Sequence, residues 1–331
     1  MDNNIKNNLK IPYISVIITA HDRKEYILQA VESVLNQNID RSFYEIIVVK
    51  NFKDEKIDYV LNKNNIINIY TNATEHGKKI KIGIDNSKGD VISFLDDDDL
   101  FKNDKINNLI KEFSNDEKLV YYHNYQEFIS DINEKKKVKP YFKNYSGKFT
   151  IKELKNNLNN FIKKYNYGPL FFNCSSIAIR KKFYENVLKY FENISIHTDD
   201  MLFFLLLDKV DENLKIFIDN KVFTLYRYHS STTNYQKNQK LKNNLKLKNI
   251  LEMYINDTNN LLNIIKDENL KQFLKCRLNN EQFRLYLINK DKKFKKENNL
   301  IKNKIKCINY SNGNSIIRFF RAIRDLLKLI F

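Results

Sequence analysis

Four consecutive aspartates, Asp96, Asp97, Asp98 and Asp99, follow directly on the apolar run at residues 91–95. Carboxylates packed this closely repel one another, and a carboxylate at the end of a buried strand loses hydration. A divalent cation relieves both effects, because Mg²⁺ and Mn²⁺ prefer oxygen ligands and often bind through carboxylates together with substrate phosphates. Ligands of open α/β sheets bind at the carboxyl ends of strands, so this junction predicts a metal–phosphate site at the mouth of a sheet.

The elements that must position these acids are short apolar runs alternating with helical patterns over the first hundred residues. Strands are predicted at 14–19, 45–49, 67–70 and 91–95, with helices between them. Asp22 is expected to cap the first helix with Glu25 completing a capping box, and Gly89 to close the third helix. Fully apolar strands alternating with helices predict an α/β fold with a parallel sheet covered on both faces.

Strand and helix patterns continue to about residue 233, and beyond it the sequence shows helical patterns without strand signals. Helices are predicted at 104–113, 151–165, 182–191 and 201–207, and strands at 119–128, 175–180 and 221–228, with a hairpin or loop at 131–148. Lys/Asn-rich helical patterns then run to about residue 306, and they are expected to pack on the core because no linker precedes them. The domains are therefore predicted as 12–233, a helical extension at 234–310 and a terminal helix at 314–331.

The terminal segment SIIRFFRAIRDLLKLIF has basic residues on one helical face and large apolar residues on much of the remainder. A basic amphipathic helix of this kind suits an anionic membrane surface. Docking on its own domain or on a partner in a homodimer is the alternative, and the sequence leaves both open.

Composition limits the class of protein. A chain of 331 residues with 42% hydrophobic residues can form a sizeable core, which argues against wholesale disorder. The formal net charge of +17 attracts anions, but the charge is dispersed, as a Lys/Asn/Ile-rich composition bias would make it, so no specific nucleic acid is predicted.

The three cysteines form no C-x-x-C pair, so zinc sites and a disulfide framework are not expected. Without a signal peptide or spanning run, a reducing, cytoplasmic location fits, with peripheral attachment to the inner membrane face as an option.

Several segments resemble an inverting glycosyltransferase of family 2 with the GT-A fold. They are SVIITAHDRKEYILQAVESVLNQ, YEIIVVKNF and SKGDVISFLDDDDLF, with HTDDMLF and LYRYHSSTTN as looser matches. The resemblance covers residues 12–232, and the organisation is similar to archaeal members. It implies a nucleotide-binding α/β domain, a nucleotide-diphosphate-sugar donor (a UDP- or GDP-sugar), Mn²⁺ or Mg²⁺, and an acceptor hydroxyl.

The resemblance also implies site residues. Asp96 and Asp98 match the D-x-D acids, Asp99 matches the acid that often follows, and His229 matches a histidine near the metal or pyrophosphate. Asp200 matches the general base, with Asp199 as the competing choice; ordinary helix capping is the alternative for this pair. The nucleotide pocket is expected to use Thr19, Ala20, His21, Asp22, Arg23, Asn51, Lys78 and Asp97. Asn51 stands where the family usually has an acid that contacts the base, which leaves the nucleobase open.

The resulting prediction is metal-dependent transfer of a sugar, with inversion, to a glycan, lipid-linked or protein acceptor. A basic nucleic-acid-binding protein and a sugar nucleotidyltransferase are the alternatives. The first is weakened by the acidic tetrad, and the second by the absence of glycine in the loop after the first strand, His21 to Lys24.

Overall fold

The structure is a computed structural model that describes residues 11–130, 145–165, 168–229, 245–289 and Cys307. Within these residues nine strands form one sheet in the spatial order β3-β2-β1-β4-β8-β6-β9-β5, with β7 paired to β9. The strands are β1 (Ile14–Ala20), β2 (Tyr44–Lys50), β3 (Ile67–Tyr70), β4 (Val91–Asp96), β5 (Leu100–Phe101), β6 (Leu119–Ser130), β7 (Gly147–Thr150), β8 (Ile177–Arg180) and β9 (Lys215–Tyr228).

Most neighbouring strands run in the same direction. The pairs β1–β2, β2–β3, β1–β4 and β6–β9 are parallel, whereas β8, β5 and β7 run antiparallel to their neighbours. The first two strands are buried along their whole length, as expected for apolar strands covered on both faces. The carboxyl ends of β1, β4 and β9 consequently open at the same edge of the sheet, and the α/β prediction with a mostly parallel sheet is confirmed.

Helices cover both faces of this sheet. They are α1 (Ile27–Leu35), α2 (Glu55–Lys63), α3 (His76–Asp85), α4 (Lys105–Asn115), α5 (Ile151–Tyr165), α6 (Gly168–Phe171), α7 (Thr198–Lys209), α8 (Leu245–Ile264) and α9 (Glu268–Asn289). One core contains residues of α1, α2 and α4, and the other contains residues of α3, α5, α7, α8 and α9. Helix α7 is apolar on nearly every side, because it lies inside the second core.

The first helix begins later than the sequence predicts. Tyr26 is the N-cap of α1, so the capping box of Asp22 and Glu25 was wrong. Asp22 instead has φ 57°, in the left-handed region that aspartate tolerates better than most residues. The backbone between β1 and α1 thereby makes a turn across the mouth of the sheet.

Three other local predictions also need correction. Helix α3 ends at Asp85 with Asn86 as its C-cap, and Gly89 lies against β1, where a Cβ would meet the backbone nitrogen of Ser15 at 2.5 Å. Residues 185–193 form a 3-10 helix, not an α-helix. Strand β9 starts at Lys215, six residues before the predicted start, because it pairs with β6 along its length.

The helical extension packs on the second core through apolar residues of α8 and α9, as expected. A disulfide joins Cys276 of α9 to Cys307, so the expectation that the cysteines would stay unpaired was wrong for these two, whereas Cys174 is free and buried. None of the described helices combines the length and the apolar character needed to cross a membrane. The predicted terminal helix at 314–331 and most of the loop at 131–148 lie outside the described residues, and the domain boundaries stay a prediction.

Candidate active site

The four aspartates at the end of β4 alternate between partly exposed and buried positions. Asp96 and Asp98 are partly exposed, whereas Asp97 and Asp99 are buried. Asp96, Asp98 and Asp99 each offer a carboxylate oxygen, and these atoms all lie within 4.8 Å of one another. The fold therefore brings together the three acids that were predicted to bind a metal.

Asp99 anchors this group to the rest of the sheet. Its Oδ2 accepts a hydrogen bond from Asn173 Nδ2 (2.8 Å), and its Oδ1 accepts one from the backbone N–H of Arg227 (2.9 Å). Burial, reinforced by the charges of Asp98 and Asp96, raises the pKa of Asp99 well above its usual value. Both oxygens of Asp99 are thus engaged, and Asp96 and Asp98 are the acids that face the opening.

Arg23 lies among the acids as a cation supplied by the chain itself. Its guanidinium pairs with Asp97 through Nε (3.1 Å) and Nη2, contacts Asp98 through Nη2 (2.7 Å), and lies 3.2 Å from His229 through Nη1. Burial raises the pKa of Asp97 to about 7, against the lowering effect of Arg23. A fork of donors held this way is suited to phosphate as well as to carboxylate.

His229 and Arg227, just past and at the end of β9, complete this side of the site. His229 Nε2 lies 2.9 Å from Asp98 Oδ2, which brings the predicted histidine to the acids. Arg227 Nε donates to the carbonyl of Asp98 (2.8 Å), and Arg227 Nη2 donates to Gln29 Oε1 (2.8 Å). Arg227 therefore holds the backbone of the tetrad, while its neighbour His229 reaches a carboxylate.

The end of β1 supplies the other predicted pocket residues. Thr19 pairs in register with Asp96, and Ala20 follows it, buried. His21 and Asp22 are exposed, and Asp22 exchanges two hydrogen bonds of 2.8 Å with Asn51: Asp22 N–H to Asn51 Oδ1, and Asn51 Nδ2 to Asp22 Oδ1. These residues form a ledge beside the acids.

The lysine at this ledge is Lys79, not Lys78. Lys78 is exposed on α3, whereas Lys79 is 1% exposed and its Nζ lies 2.8 Å from His21 Nδ1. Burial lowers the pKa of Lys79 to about 8, although Asp22 and Asp97 act in the opposite direction. Successive residues of an α-helix lie about 100° apart around its axis, so Lys78 and Lys79 point in different directions, and only Lys79 is buried against the end of β1. The nucleotide-binding role of Lys78 stays a prediction.

A second histidine, His76, joins three parts of the site. Its Nε2 hydrogen-bonds Thr19 Oγ1 (2.8 Å) and lies 3.5 Å from Asp96 Oδ1, while its Nδ1 hydrogen-bonds Thr198 Oγ1 (2.6 Å). One imidazole thus connects β1, the acidic tetrad and the start of α7.

The two acids that begin α7 have different surroundings. Asp200 is buried, and its two oxygens accept hydrogen bonds from Arg277 Nη1 (2.8 Å) and Nη2 (2.7 Å), with His197 Nδ1 also bonded to Oδ2. Burial alone would raise the pKa of Asp200, but Arg277 and His197 together bring it well below the usual value. The residue Asp199 is partly exposed, but protein surrounds its carboxyl group, and the resulting loss of hydration together with the charge of Asp200 raises its pKa to about 7.

His76 lies between Asp96 and Thr198, so the start of α7 is next to the tetrad, and the charge of Asp96 adds to the rise in the pKa of Asp199. His197, Asp199 and Asp200 could together offer ligand atoms to a cation, but Asp200 is already neutralised by Arg277. The arrangement is therefore an acid cluster at the end of β4, connected through His76 to the start of α7, where Asp199 has a pKa of about 7.

The model of "Glycosyl transferase family 2" matches residues 15–188, which is more than half of the chain. The chain belongs to glycosyl transferase family 2. Two curated relatives are described as uncharacterized glycosyltransferases. One, from Rickettsia bellii, is 31% identical over 126 residues, 37% of this chain and 18% of its own length. The other, from Haemophilus influenzae, is 29% identical over 104 residues, 30% of this chain and 41% of its own length. This chain thus spans less than half of either relative.

Solved structures support the same fold at low identity. S. aureus TarS 1–349 superposes with a TM-score of 0.53 and 14% identity over 87% of this chain and 74% of TarS 1–349. The complex of TarS 1–349 with UDP-GlcNAc superposes with a TM-score of 0.53 and 13% identity, over 96% of this chain and 82% of the TarS chain. The predicted family 2 membership and GT-A fold are therefore confirmed, including the helices at the C-terminus. The similarity to archaeal members stays a prediction.

The family implies a divalent cation, and the side chains at β4 fit one. Asp96 and Asp98 are partly exposed, and their carboxylate oxygens lie within 4.8 Å of each other. His229 adds an imidazole nitrogen 2.9 Å from Asp98 Oδ2. Oxygen ligands with one imidazole suit Mn²⁺, and Mg²⁺ less well. Asp99 fits less well than predicted, because Asn173 and Arg227 already use its two oxygens.

The sequence did not predict five residues of the candidate site: His76, Lys79, His197, Asp257 and Arg277. The spacing of His197 and Asp200, three residues apart at the start of a helix, was a usable signal for their contact. The helical pattern of α3 could have indicated that Lys79 faces the sheet. No sequence pattern indicated Asp257 or Arg277, because they reach the site from α8 and α9, more than fifty residues further along the chain.

Proposed function

We propose that this protein is a metal-dependent glycosyltransferase that moves a sugar from a nucleotide-diphosphate sugar to an acceptor hydroxyl with inversion. One observation carries the proposal: in a family 2 chain, carboxylate oxygens of Asp96 and Asp98, both partly exposed, lie within 4.8 Å of each other and of the buried Asp99 at the carboxyl end of β4. Clustered carboxylates at this place suit a cation bound together with phosphates.

The pocket residues suit a pyrophosphate with a nucleoside. Arg23 and Lys79 supply positive charge beside the acids, and the ledge of Asp22 and Asn51 offers amide and carboxylate groups to a base. S. aureus TarS has been solved with UDP and with UDP-GlcNAc, so a UDP-sugar is the first donor to test. A GDP-sugar is the second, because the Asn51 side chain has both a donor and an acceptor.

We assign the general base to Asp199 in preference to Asp200. Asp200 is held by Arg277 and His197 with its pKa lowered, which makes it a weak proton acceptor. Asp199 is partly exposed and has a pKa of about 7, a value matched to proton transfer near neutral pH. The alternative, Asp200, would need Arg277 to move away first.

The reaction follows from these roles. The acceptor oxygen forms a bond to the anomeric carbon while the bond from that carbon to the phosphate oxygen breaks on the opposite face. The nucleoside diphosphate leaves with the electron pair, and the acceptor proton passes to the Asp199 carboxylate. A divalent ion held by Asp96, Asp98 and His229 would neutralise charge on the leaving diphosphate. Arg23 and Lys79 orient the phosphates.

The acceptor class and the place of action also belong to this proposal. A glycan, a lipid-linked sugar or a protein hydroxyl all fit the chemistry, and residues 314–331 are the candidate contact with an anionic membrane or a second copy. A cytoplasmic location stays part of the proposal, although the Cys276–Cys307 bond removes the support that unpaired cysteines gave it, since structural disulfides are rare in the cytosol. Cell fractionation with thiol labelling tests the location.

Thermal-shift measurements with UDP, GDP, CDP and their sugars, with and without Mn²⁺, test the donor and the metal together. A metal-dependent rise in Tm with one nucleotide family, followed by metal-dependent turnover of its sugar, is the expected result. Stabilisation by single-stranded nucleic acid with no response to any nucleotide sugar would overturn the proposal.

A further inference from the structure

The segment that carries the acid pair is held from one side by a single buried carboxylate of α8. Asp257, 1% exposed, accepts backbone hydrogen bonds from Ser195 (3.0 and 3.1 Å), Ile196 (2.8 Å) and His197 (3.1 Å). Three successive N–H groups directed at one acceptor form a concave anion site of the kind the backbone normally offers to a ligand. Here the anion is part of the chain, so the path of residues 195–197 is fixed by α8.

Helix α9 holds the acid pair itself. Arg277 makes a two-pronged contact with both oxygens of Asp200, and its guanidinium lies 5.5 Å from the ring of Phe171 and 6.0 Å from that of Phe204. Paired, planar contacts of this type restrict orientation more than a single ion pair does. Arg277 therefore occupies both oxygens of Asp200, and Asp199 is the acid of the pair that takes no part in this two-pronged contact.

Helix α3 supports the opposite side of the same segment. The backbone N–H groups of His76 and Gly77 donate to the carbonyls of Ser195 (3.2 Å) and Ile194 (2.9 Å). A Cβ on residue 77 would lie 2.2 Å from the carbonyl oxygen of Phe191, so only glycine permits this approach. The acid-bearing segment is thus clamped between α3, which lies at the donor side, and the two C-terminal helices.

We propose that Asp257 and Arg277 are positioning residues for the transfer reaction, and that α8 and α9 thereby belong to the active site although they lie beyond the family match. The proposal rests on the proposed function, because Asp199 acts as a base only if the chain transfers a sugar. Asp257 sets the path of the backbone before α7, and Arg277 holds Asp200 so that Asp199 stays toward the donor.

Arg277 also has an electrostatic effect that a purely structural contact would not have. Its positive charge lowers the pKa of Asp199, whereas Asp200 and Asp96 raise it. Other titratable groups lie around Asp199 on its own and neighbouring elements: His197, His76, Tyr121, Cys174 and Tyr254. Removing the guanidinium takes away the positive charge that lowers the pKa of Asp199 and leaves Asp200 with His197 as its remaining partner, so the pKa of Asp199 moves upward.

The test compares the full chain with Arg277→Met, Arg277→Lys and a matched control, Arg284→Met, which changes an arginine on the same helix paired with Glu281. The readouts are the pH profile of kcat with a UDP-sugar donor and the affinity for UDP. We expect Arg277→Met to move the acidic limb of the profile to higher pH, and a rise of one unit in the pKa of Asp199, from about 7, lowers kcat at pH 7 by about fivefold. Arg277→Lys is expected to restore most of the limb's position, because it keeps the charge, but less of kcat, because it loses the two-pronged contact.

A second pair of variants separates positioning from stability. Asp257→Asn is compared with Asp208→Asn, because Asp208 likewise accepts backbone N–H groups, those of Lys266 and Asp267, but away from the acid pair. We expect both to lower Tm, and only Asp257→Asn to lower kcat with UDP affinity unchanged.

Two results would overturn the proposal: a profile of Arg277→Met that coincides with that of Arg284→Met, or equal kcat losses in Asp257→Asn and Asp208→Asn at equal Tm. If Arg277→Met does not fold, two other measurements decide between the outcomes: the acidic limb of the pH profile of Arg277→Lys, and the comparison of Asp257→Asn with Asp208→Asn. An unsubstituted chain that neither binds UDP nor turns over any nucleotide sugar would instead contradict the proposed function itself.

Discussion

Replacing Asp199 or Asp200 by asparagine separates the two candidate bases, which are adjacent in sequence and differ only in their surroundings. If Asp199 is the base, Asp199→Asn removes the group that accepts the acceptor proton. General-base catalysis contributes about 10²- to 10⁴-fold, so kcat is expected to fall by that factor. UDP affinity should stay within about twofold, because Asp199 lies on α7, whereas the proposed nucleotide pocket lies at the ends of β1 and β2 and on α3.

The pH dependence of the unsubstituted chain gives the magnitude. With a pKa of about 7, Asp199 is about nine-tenths protonated at pH 6 and about nine-tenths ionised at pH 8. A base works in its ionised form, so activity is present above pH 7 and is lost as the pH falls through 7. We expect kcat to rise about tenfold from pH 6 to pH 8, measured by release of UDP at saturating donor and metal.

Asp200→Asn has the opposite signature. It removes a negative charge beside Asp199 and leaves the Arg277 cation in place, so the pKa of Asp199 falls and the acidic limb moves to lower pH. The variant is expected to lose stability, because Arg277 becomes a partly buried charge without its carboxylate. A loss of turnover in Asp200→Asn at every pH, together with near-normal turnover in Asp199→Asn, would refute the assignment and return the role to Asp200.

Three further predictions concern the metal, the nucleotide ledge and the disulfide. Asp98→Ala is expected to abolish the Mn²⁺-dependent part of the Tm increase produced by UDP, and an unchanged increase would contradict the metal role. Lys79→Met is expected to weaken UDP binding about tenfold or more, in calorimetric titration, while Lys78→Met on the exposed side of α3 leaves it unchanged. Cys276→Ser opens a loop with a sequence separation of 31 residues, which the chain-entropy relation values at about 4 kcal/mol of unfolding free energy. Urea unfolding with and without reductant measures this loss, and reductant should have no further effect on the variant.

The parts of the fold that the sequence predicted are those in which each residue's environment is set by its near neighbours. The runs Ile14–Ala20 and Val91–Asp96 are apolar enough to be buried strands in any parallel sheet, and both lie in the centre of this one. The start of α1 was wrong because Asp22 makes a contact with Asn51, 29 residues away, instead of capping the helix. Capping patterns predict well only when no distant partner competes for the same side chain.

The candidate site divides in the same way. The tetrad could be located from Asp96 and Asp98 alone, because an acidic cluster after a buried strand has few structural alternatives. The sequence could not decide which of Asp199 and Asp200 is the base, because the two are adjacent acids at the start of the same helix. Their difference comes from Arg277, 77 residues beyond Asp200, whose place on α9 is fixed only when that helix packs on the core.

In the proposed role, Arg277 gives Asp199 and Asp200 different properties, although it lies in the part of the chain that the sequence predicts as a helical extension. Without the guanidinium, two neighbouring carboxylates would share one site, and their titrations would belong to the pair and not to either residue. With it, one acid is kept ionised by an ion pair and the other keeps a near-neutral pKa. Environments that push two acids apart in pKa are how enzymes give neighbouring carboxylates different roles. In this protein the separation depends on Arg277 of α9, which lies beyond the residues 15–188 that match the family.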